Sequence, residues 1–183
     1  MKTAICELES ISPYSQSRFY ETEKLPKERA DDYEARTWRD RLHVNVNGNV
    51  FIPPMAFKNC LSECAKYLSV PIPGKLKQTF TKHIQAGVLV TEGLELPFKK
   101  NDVAGEWLFV PNPNSRGSRV KKCFPVIPQW QGAVTFFILD ETLTEDIFRL
   151  HIEEMGKFIG IGRFRPRNNG FYGRFKVNEI IWG

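Results

Sequence analysis

The sequence predicts an α+β protein with a ferredoxin-like (RRM-like) domain: an antiparallel sheet, two main helices and long loop insertions. Two segments carry apolar residues at helical spacing, one after Pro53-Pro54 and one after Thr142. Segments rich in β-branched and aromatic residues precede, separate and follow these helices. The resulting order of strand, helix, strands, helix and strand is that of the split βαβ fold.

The first half of the chain is predicted to supply the first strand and the first helix. KTAICELES suits a strand, and LHVNVNGNVFI indicates a hairpin that turns at Asn47-Gly48. Pro53 and Pro54 end this hairpin and are suited to a helix start, where a missing N–H costs little. The helix then carries its apolar residues on one face: Phe57, Leu61, Cys64, Ala65 and Leu68.

The second half is predicted to contain several strands and one further helix. FTKHIQAGVLVTEGLELPF indicates one or two strands, and EWLFV a short strand before a loop that continues to Phe124. GAVTFFILD is a strong strand, and FKVNEIIW is the last one. Thr142 and Glu145 have capping-box spacing at the start of the helix between them. Its apolar stripe consists of Phe148, Ile152, Met155 and Ile159.

Length and composition favour one globular domain, residues 1–183, with insertions at about 10–42 and 98–124. The chain has 183 residues, of which 42% are apolar. It has no apolar run near the roughly 20 residues of a membrane helix, and MKTAICELES acquires acidic residues too early for a signal peptide. We therefore expect a soluble cytoplasmic protein. The scattered cysteines predict buried, reduced thiols, with neither a disulfide nor a structural metal: Cys6, Cys60, Cys64 and Cys123.

Residues 156–177, called the glycine–arginine segment below, are the part of the sequence that says most about function. They hold five glycines, four arginines and two lysines, and no carboxylate. Glycine lets a backbone approach a ligand closely, and arginine presents donors in a fork that suits phosphate. Aromatic residues add faces on which bases can stack. This composition predicts a nucleic-acid contact, and the alternative is a tight connection between helix and strand. The residues expected to bind are Gly160, Gly162, Arg163, Arg165, Arg167, Gly170, Tyr172, Gly173 and Arg174.

A second basic segment without carboxylates lies at residues 110–124. It carries Arg116, Arg119, Lys121 and Lys122. The net charge of the whole chain is only +5, so the placement of the cations matters more than their excess. Two separate segments of this kind favour a polyanionic partner. An ordinary solvated loop is the alternative for this one.

The order of elements and two local motifs resemble the RAMP superfamily of CRISPR-associated proteins. In that superfamily an "IPGSSLKGxLR"-like segment leads from a strand into the first helix, and residues 52–61 are similar to it. The glycine-rich loop of the superfamily, "GxxRxxGxGxxxV", is similar to residues 160–177, with the wider spacing Gly170-x-x-Gly173. The closest likeness is to the repeated backbone subunit that coats guide RNA in multi-subunit effector complexes. A viral or mobile-element relative is the alternative.

The resemblance implies further RNA-binding residues. Lys58 matches the lysine of the helix-start motif, where a phosphate would explain a cation near a helix N-terminus. The second basic segment matches the protruding hairpin that lies across RNA in the superfamily. Trp38 and Arg39 form an aromatic–basic cluster, in which the tryptophan could either stack on a base or pack in the core.

Catalysis has weaker support in the sequence. His43 is the one candidate for a metal-independent endoribonuclease of the guide-processing type. Some backbone subunits cut target RNA with an aspartate in the loop before the first helix, and three aspartates compete for that role here: Asp31, Asp32 and Asp40. Neither a P-loop nor a dinucleotide fingerprint is present, so we expect no cofactor.

Three functions remain open on these grounds. The first is a non-catalytic protein that coats single-stranded guide RNA, with copies of itself packed side by side and other effector subunits as further partners. The second is a ribonuclease of the same superfamily. The third is a mobile-element protein that binds single-stranded nucleic acid or interferes with a host effector complex by mimicry. No membrane partner is expected.

Overall fold

A four-stranded antiparallel sheet forms the centre of the protein, which a computed structural model describes over residues 1–183. The sheet contains β1 (Lys2–Ser10), β4 (Val88–Leu89), β8 (Gln131–Ile138) and β9 (Phe175–Trp182). Their order is β4-β8-β1-β9, and every neighbouring pair is antiparallel. In terms of the four core strands this is the order 2-3-1-4 of the ferredoxin-like fold. The predicted fold class is confirmed.

Two helices cover the inner face of this sheet. Helix α2 (Pro54–Leu68) begins with proline at its first position, as predicted, and all five residues of its predicted stripe are at least partly buried. Helix α4 (Glu145–Glu154) continues into a π-helical turn, Met155–Ile159. Its N-cap is Thr144, whose hydroxyl accepts from the Ile147 N–H at 3.4 Å. The prediction that Thr142 caps this helix is wrong, because the Thr142 hydroxyl donates to Asp140 instead.

A short helix, α3 (Thr81–Gly87), replaces the first part of the strand predicted after residue 79. Its β-branched residues favour a strand, yet tertiary contacts hold the helix. The Thr81 hydroxyl donates to the Ala65 carbonyl at 2.9 Å, and the Lys58 ammonium donates to the carbonyls of Ile84 and Gln85 at 3.0 and 2.8 Å. Helix α2 therefore supports α3 at both ends.

The hairpin predicted at Asn47-Gly48 is present only as a tight turn with a single bridge between Val44 and Val50. Strand β3 (Asn49–Ile52) pairs instead with β5 (Leu94–Lys99) in a separate two-stranded sheet. This pairing lies directly before α2, so it fixes the position at which that helix begins.

The first insertion, residues 10–42, is folded. It contains β2 (Tyr14–Ser15), helix α1 (Ala30–Thr37) and a 3₁₀ turn, Trp38–Arg41. Glu34 of α1 is buried, and its carboxylate accepts from the Cys123 N–H and pairs with Arg41 at 2.8 Å and Lys122 at 2.9 Å. A polar stretch can thus be ordered by a few buried polar contacts.

The second insertion is a projecting β-hairpin. Strand β6 (Ala104–Pro111) pairs along its whole length with β7 (Arg119–Ile127), and β2 pairs with the end of β7. The loop predicted up to Phe124 is therefore shorter, since β7 already begins at Arg119. Residues 104–127 are called the basic hairpin below.

The core beneath these elements includes all four cysteines, which are buried and free. Burial raises the pKa of Cys6 to about 12 and that of Cys64 to about 12. No helix is long and apolar enough to cross a membrane.

Candidate nucleic-acid interface

The glycine–arginine segment doubles back on itself and crosses strand β2. The Ile161 N–H donates to the Gly173 carbonyl at 3.0 Å, which closes the loop at its base. The Arg163 N–H donates to the Ser15 carbonyl, and the Gly173 N–H to the Pro13 carbonyl, both at 2.8 Å. These bonds dock the loop on the first insertion, next to the N-terminal half of α2.

The glycines of this loop approach the protein's own backbone. Gly162 has a φ of +80°, and a Cβ built there would lie 2.5 Å from the Ser15 carbonyl oxygen. Gly173 has a φ of +81°, and a Cβ there would overlap the Ile161 carbonyl. A Cβ at Gly160 would lie 2.6 Å from the Pro166 ring, and one at Gly170 would overlap the Phe164 carbonyl. Close packing within the protein thus requires glycine at these positions. This agrees with the alternative given above, a tight connection between helix and strand.

Arg163 joins the loop to the basic hairpin. Its guanidinium lies 4.0 Å from the centroid of the Phe124 ring and 3.7 Å from the Glu106 carboxylate, and its Nε donates to the Ser15 hydroxyl at 3.1 Å. Only 17% of the side chain is exposed, and burial lowers the pKa of Arg163. The Tyr172 hydroxyl donates to the same Glu106 carboxylate at 2.6 Å. The side chains of Arg163 and Tyr172 therefore mainly hold the loop against the basic hairpin.

Arg165 joins the loop to α2. Its guanidinium pairs with Glu63 at 2.7 Å and is 18% exposed. Arg167 is exposed and has no ion pair, and Arg174 is half-buried, with its Nε donating to the Lys157 carbonyl at 3.3 Å. Of the four arginines in the segment, Arg167 is therefore the one with most of its donors facing solvent.

Together these contacts form a cleft of about 420 Å³ between the loop, the start of α2 and the first insertion. This volume lies within the range of small-ligand sites. Gly162, Arg163 and Arg165 form one wall, and Asn59 and Glu63 of α2 form another. The N–H of Gly162 has no partner within the protein. The two motifs of the family resemblance, residues 52–61 and 160–177, thus meet at one place.

His43 also lines this cleft. Its ring packs edge-on against Phe51, with centroids 5.7 Å apart. Burial, together with the charge of Arg18, lowers the pKa of His43, so the imidazole is neutral at pH 7. A neutral imidazole can accept a proton, and the Arg163 and Arg165 side chains line the same cleft.

The basic hairpin presents an exposed surface of cations and aromatic rings. Arg116, Arg119 and Lys121 are exposed and form no ion pairs, whereas Lys122 pairs with Glu34. Trp107 is 42% exposed and lies 5.0 Å from the Lys121 ammonium. Cations interleaved with exposed rings are typical of surfaces that bind single-stranded nucleic acid.

Phe109 belongs to the same hairpin face as Trp107 and Lys121, whereas the glycine–arginine segment packs on the opposite face through Glu106 and Phe124. Phe109 lies directly opposite Lys121 in the hairpin register and is 64% exposed. Phe164 and Phe171 of the segment are 54% and 58% exposed, and together with Phe109 they line an apolar groove of about 370 Å³. Neither Trp107 nor Phe109 was predicted from the sequence to bind nucleic acid. The available signal was their alternation within EWLFV, opposite the basic segment.

Three predicted binding residues lie outside this surface. Lys58 donates to carbonyls of α3, and burial lowers its pKa, so it holds a helix instead of facing a phosphate. Trp38 is 6% exposed and covered on one face by the Arg39 guanidinium at 4.1 Å, so it cannot stack on a base. Arg39 is half-buried by the same contact.

The aspartates of the first insertion do not reach the cleft. Asp31 and Asp32 are exposed in the first turn of α1. The Asp40 carboxylate accepts from the Thr22 hydroxyl at 2.6 Å and pairs with Lys100. No group of three or more His, Cys, Asp and Glu side chains is arranged to hold a metal ion.

Comparison with solved structures finds proteins that share this architecture. The fold is a ferredoxin-like domain with a hairpin and a helical insertion, and the site is a basic, aromatic surface next to a glycine loop. The crystal structure of Cmr6 from Pyrococcus furiosus shares the fold, with a TM-score of 0.50 and 14% identity over 97% of this chain and 99% of that chain. No family model matches the sequence. No curated protein matches it either.

Proposed function

We propose that this chain binds single-stranded RNA and coats guide RNA as a repeated subunit of a CRISPR-type ribonucleoprotein. The observation that carries the proposal is one exposed face of the basic hairpin, where the unpaired cations Arg119 and Lys121 alternate with the exposed rings of Trp107 and Phe109. The likeness in fold to Cmr6 supports the RAMP relationship that the motifs predict.

Two kinds of contact would hold the strand. Arg119, Lys121 and Arg167 are free to contact phosphates, which position a strand without reading its sequence. Trp107 and Phe109 offer faces to bases, and each stacked base is worth about 1–3 kcal/mol. The outer face of the four-stranded sheet is unsuited to this role, because its charged residues include Glu7, Glu9 and Glu179.

The first test compares purified protein with an Arg119→Ala/Lys121→Ala variant in a fluorescence-anisotropy titration with labelled single-stranded RNA at several salt concentrations. We expect weaker binding across all sequences and a log–log salt slope smaller by about 1.4, since two phosphate contacts are lost. Lys24→Ala/Lys27→Ala, which removes two exposed lysines of the first insertion, is the matched control. It should leave the affinity for RNA and the salt slope unchanged. Equal slopes for all three proteins would contradict the proposal.

Purification without nuclease complements this titration. Absorbance at 260 and 280 nm and sequencing of any bound strand would identify the natural ligand. Competition between RNA and DNA oligonucleotides separates guide coating from the mobile-element alternative. Preference for single-stranded DNA would favour that alternative.

A ribonuclease is the second candidate, and the position of His43 favours it. His43 lies in the same cleft as Arg163 and Arg165. There it could take the proton of a 2′-hydroxyl, whose oxygen bonds to the adjacent phosphorus as the P–O5′ bond breaks. The departing 5′-oxygen would take a proton from water, and the arginines would stabilise the charge on the phosphate. In that case cleavage needs no metal, persists below the ordinary histidine pKa of about 6.5, and is lost in His43→Ala or with a 2′-deoxy substrate. Intact RNA after long incubation with excess protein would exclude this activity.

A further inference from the structure

The outer face of the four-stranded sheet carries apolar side chains that no element of the chain covers. Ile5 and Ile181 lie directly opposite each other in register and are 37% and 54% exposed. Leu89, 43% exposed, lies opposite Phe137 on the neighbouring pair of strands. These four residues form one apolar band across all four strands, which is called the apolar band below.

Two carboxylates border the apolar band. Glu7 lies directly opposite Glu179 in the β1–β9 register, and neither has an ion pair or a hydrogen bond within the protein. Like charges directly opposite on a sheet destabilise it. The one cation nearby, Lys176, is already paired with Glu9 at 3.1 Å. This face therefore suits a partner that brings apolar atoms flanked by cations, and it repels phosphate.

The segment that joins α2 to α3 has that chemistry. It folds back on itself through a bond from the Ile72 N–H to the Gln78 carbonyl at 2.8 Å and a bridge between Pro71 and Thr79. Its tip, residues 75–77, presents Leu76 at 90% exposure between two exposed lysines that form no ion pairs. No carboxylate occurs anywhere in residues 64–91.

We infer that the apolar band and its carboxylate pair receive the 75–77 tip of a second copy of this chain. Leu76 would pack on Ile5 and Ile181, and the lysines on either side would neutralise Glu7 and Glu179. The tip belongs to the helical layer, whereas the apolar band lies on the opposite face of the sheet, so the two cannot meet within one molecule. Two different surfaces in contact give a head-to-tail arrangement that extends copy by copy.

This inference rests on the proposed side-by-side packing of copies, and it adds the surfaces through which they touch. The contact leaves the basic hairpin and the cleft free for RNA, because none of their residues takes part in it. Association through the apolar band should consequently occur without any nucleic acid.

The test is sedimentation velocity on nucleic-acid-free protein over a concentration series at low salt. We expect concentration-dependent association of the unaltered chain. Glu7→Lys/Glu179→Lys and Lys75→Glu/Lys77→Glu should each weaken it by more than about tenfold, since like charges then face each other. An equimolar mixture of the two variants should associate again, because each variant's tip is complementary to the other's sheet face.

Controls separate this contact from general charge effects and from RNA binding. Glu141→Lys and Lys27→Glu change exposed charges elsewhere and should associate like the unaltered chain. Circular dichroism checks that each variant is folded. Both double variants should still bind a labelled RNA too short for two copies, so a loss there would count against the proposed function and not against this contact.

Three outcomes would overturn the inference. One is a chain that stays monomeric at every concentration, and another is association that neither double variant weakens. The third is rescue of Glu7→Lys/Glu179→Lys by Arg119→Glu/Lys121→Glu and not by the tip variant, which would make the basic hairpin the occupant of this face.

Discussion

Gly173 is one of the tightly packed glycines of the glycine–arginine segment. Its φ of +81° is in the left-handed region, and a Cβ would overlap the Ile161 carbonyl that closes the loop. Both effects act in the folded state only. The shape of the loop at the candidate interface therefore depends on glycine at position 173.

Gly173→Ala should lower the free energy of unfolding by about 3 kcal/mol or more, because it adds a steric overlap to the cost of a left-handed alanine. Urea unfolding followed by circular dichroism measures this change. Gly48→Ala is the matched control, since Gly48 has a φ of +77° with no atom within 4 Å of an added Cβ. It should cost only about 1 kcal/mol. Equal losses for the two variants would show that the overlap is relieved by movement of the loop.

The arginines show at the same scale what composition can and cannot predict. A carboxylate-free run of cations predicts a polyanionic partner correctly only if the cations are unpaired in the fold. Arg163 and Arg165 form ion pairs with Glu106 and Glu63. These carboxylates are distant in sequence, so the composition of the segment alone does not predict the pairs. Arg116, Arg119 and Lys121 find no such partner.

Glu34 connects two elements, α1 and strand β7. Burial alone would raise the pKa of this carboxyl, but the Cys123 N–H, the Lys122 ammonium and the Arg41 guanidinium together outweigh burial and lower the pKa. A lowered carboxyl pKa stabilises the fold above the ordinary value of about 4.3, and this stabilisation is lost as the pH falls through the folded-state pKa. The attachment of the basic hairpin to the first insertion is therefore acid-sensitive.

Glu34→Gln should lower the free energy of unfolding at pH 7 by about 3 kcal/mol, because it leaves the buried Arg41 without its counter-charge. The variant should also lose part of the decline in stability below about pH 4.3. Urea titrations at pH 7 and pH 4 measure both effects. Glu145→Gln, which removes an exposed pair with Arg149, should cost less than about 1 kcal/mol. Similar losses for both variants would contradict the assigned role of Glu34.

Element prediction succeeded where the pattern is long and failed where tertiary contacts decide. Strand β9 has the bounds that FKVNEIIW predicts, and α2 starts at the predicted proline. Helix α3 was predicted as a strand because its seven residues include β-branched ones, and its supports come from α2 through Lys58. The same lysine was expected to bind phosphate. One long-range contact thus accounts for both errors.

At the scale of the whole molecule, the predicted element order is sufficient to give the sheet order β4-β8-β1-β9. It does not give the placement of the insertions, since their positions depend on pairs such as Glu34 with Cys123. The folded chain consequently has two distinct outer surfaces. One is the exposed face of the basic hairpin, and the other is the acidic, apolar face of the sheet.

The exposure of Trp107 has an optical consequence. Of the four tryptophans, Trp38 and Trp130 are only 6% and 4% exposed and Trp182 is half-buried, whereas Trp107 is 42% exposed on the basic hairpin. Indole emission that acrylamide quenches should therefore come mostly from this one side chain. A base stacked on the indole would both dim that emission and shield it from the quencher, so the unlabelled protein carries its own reporter of strand binding.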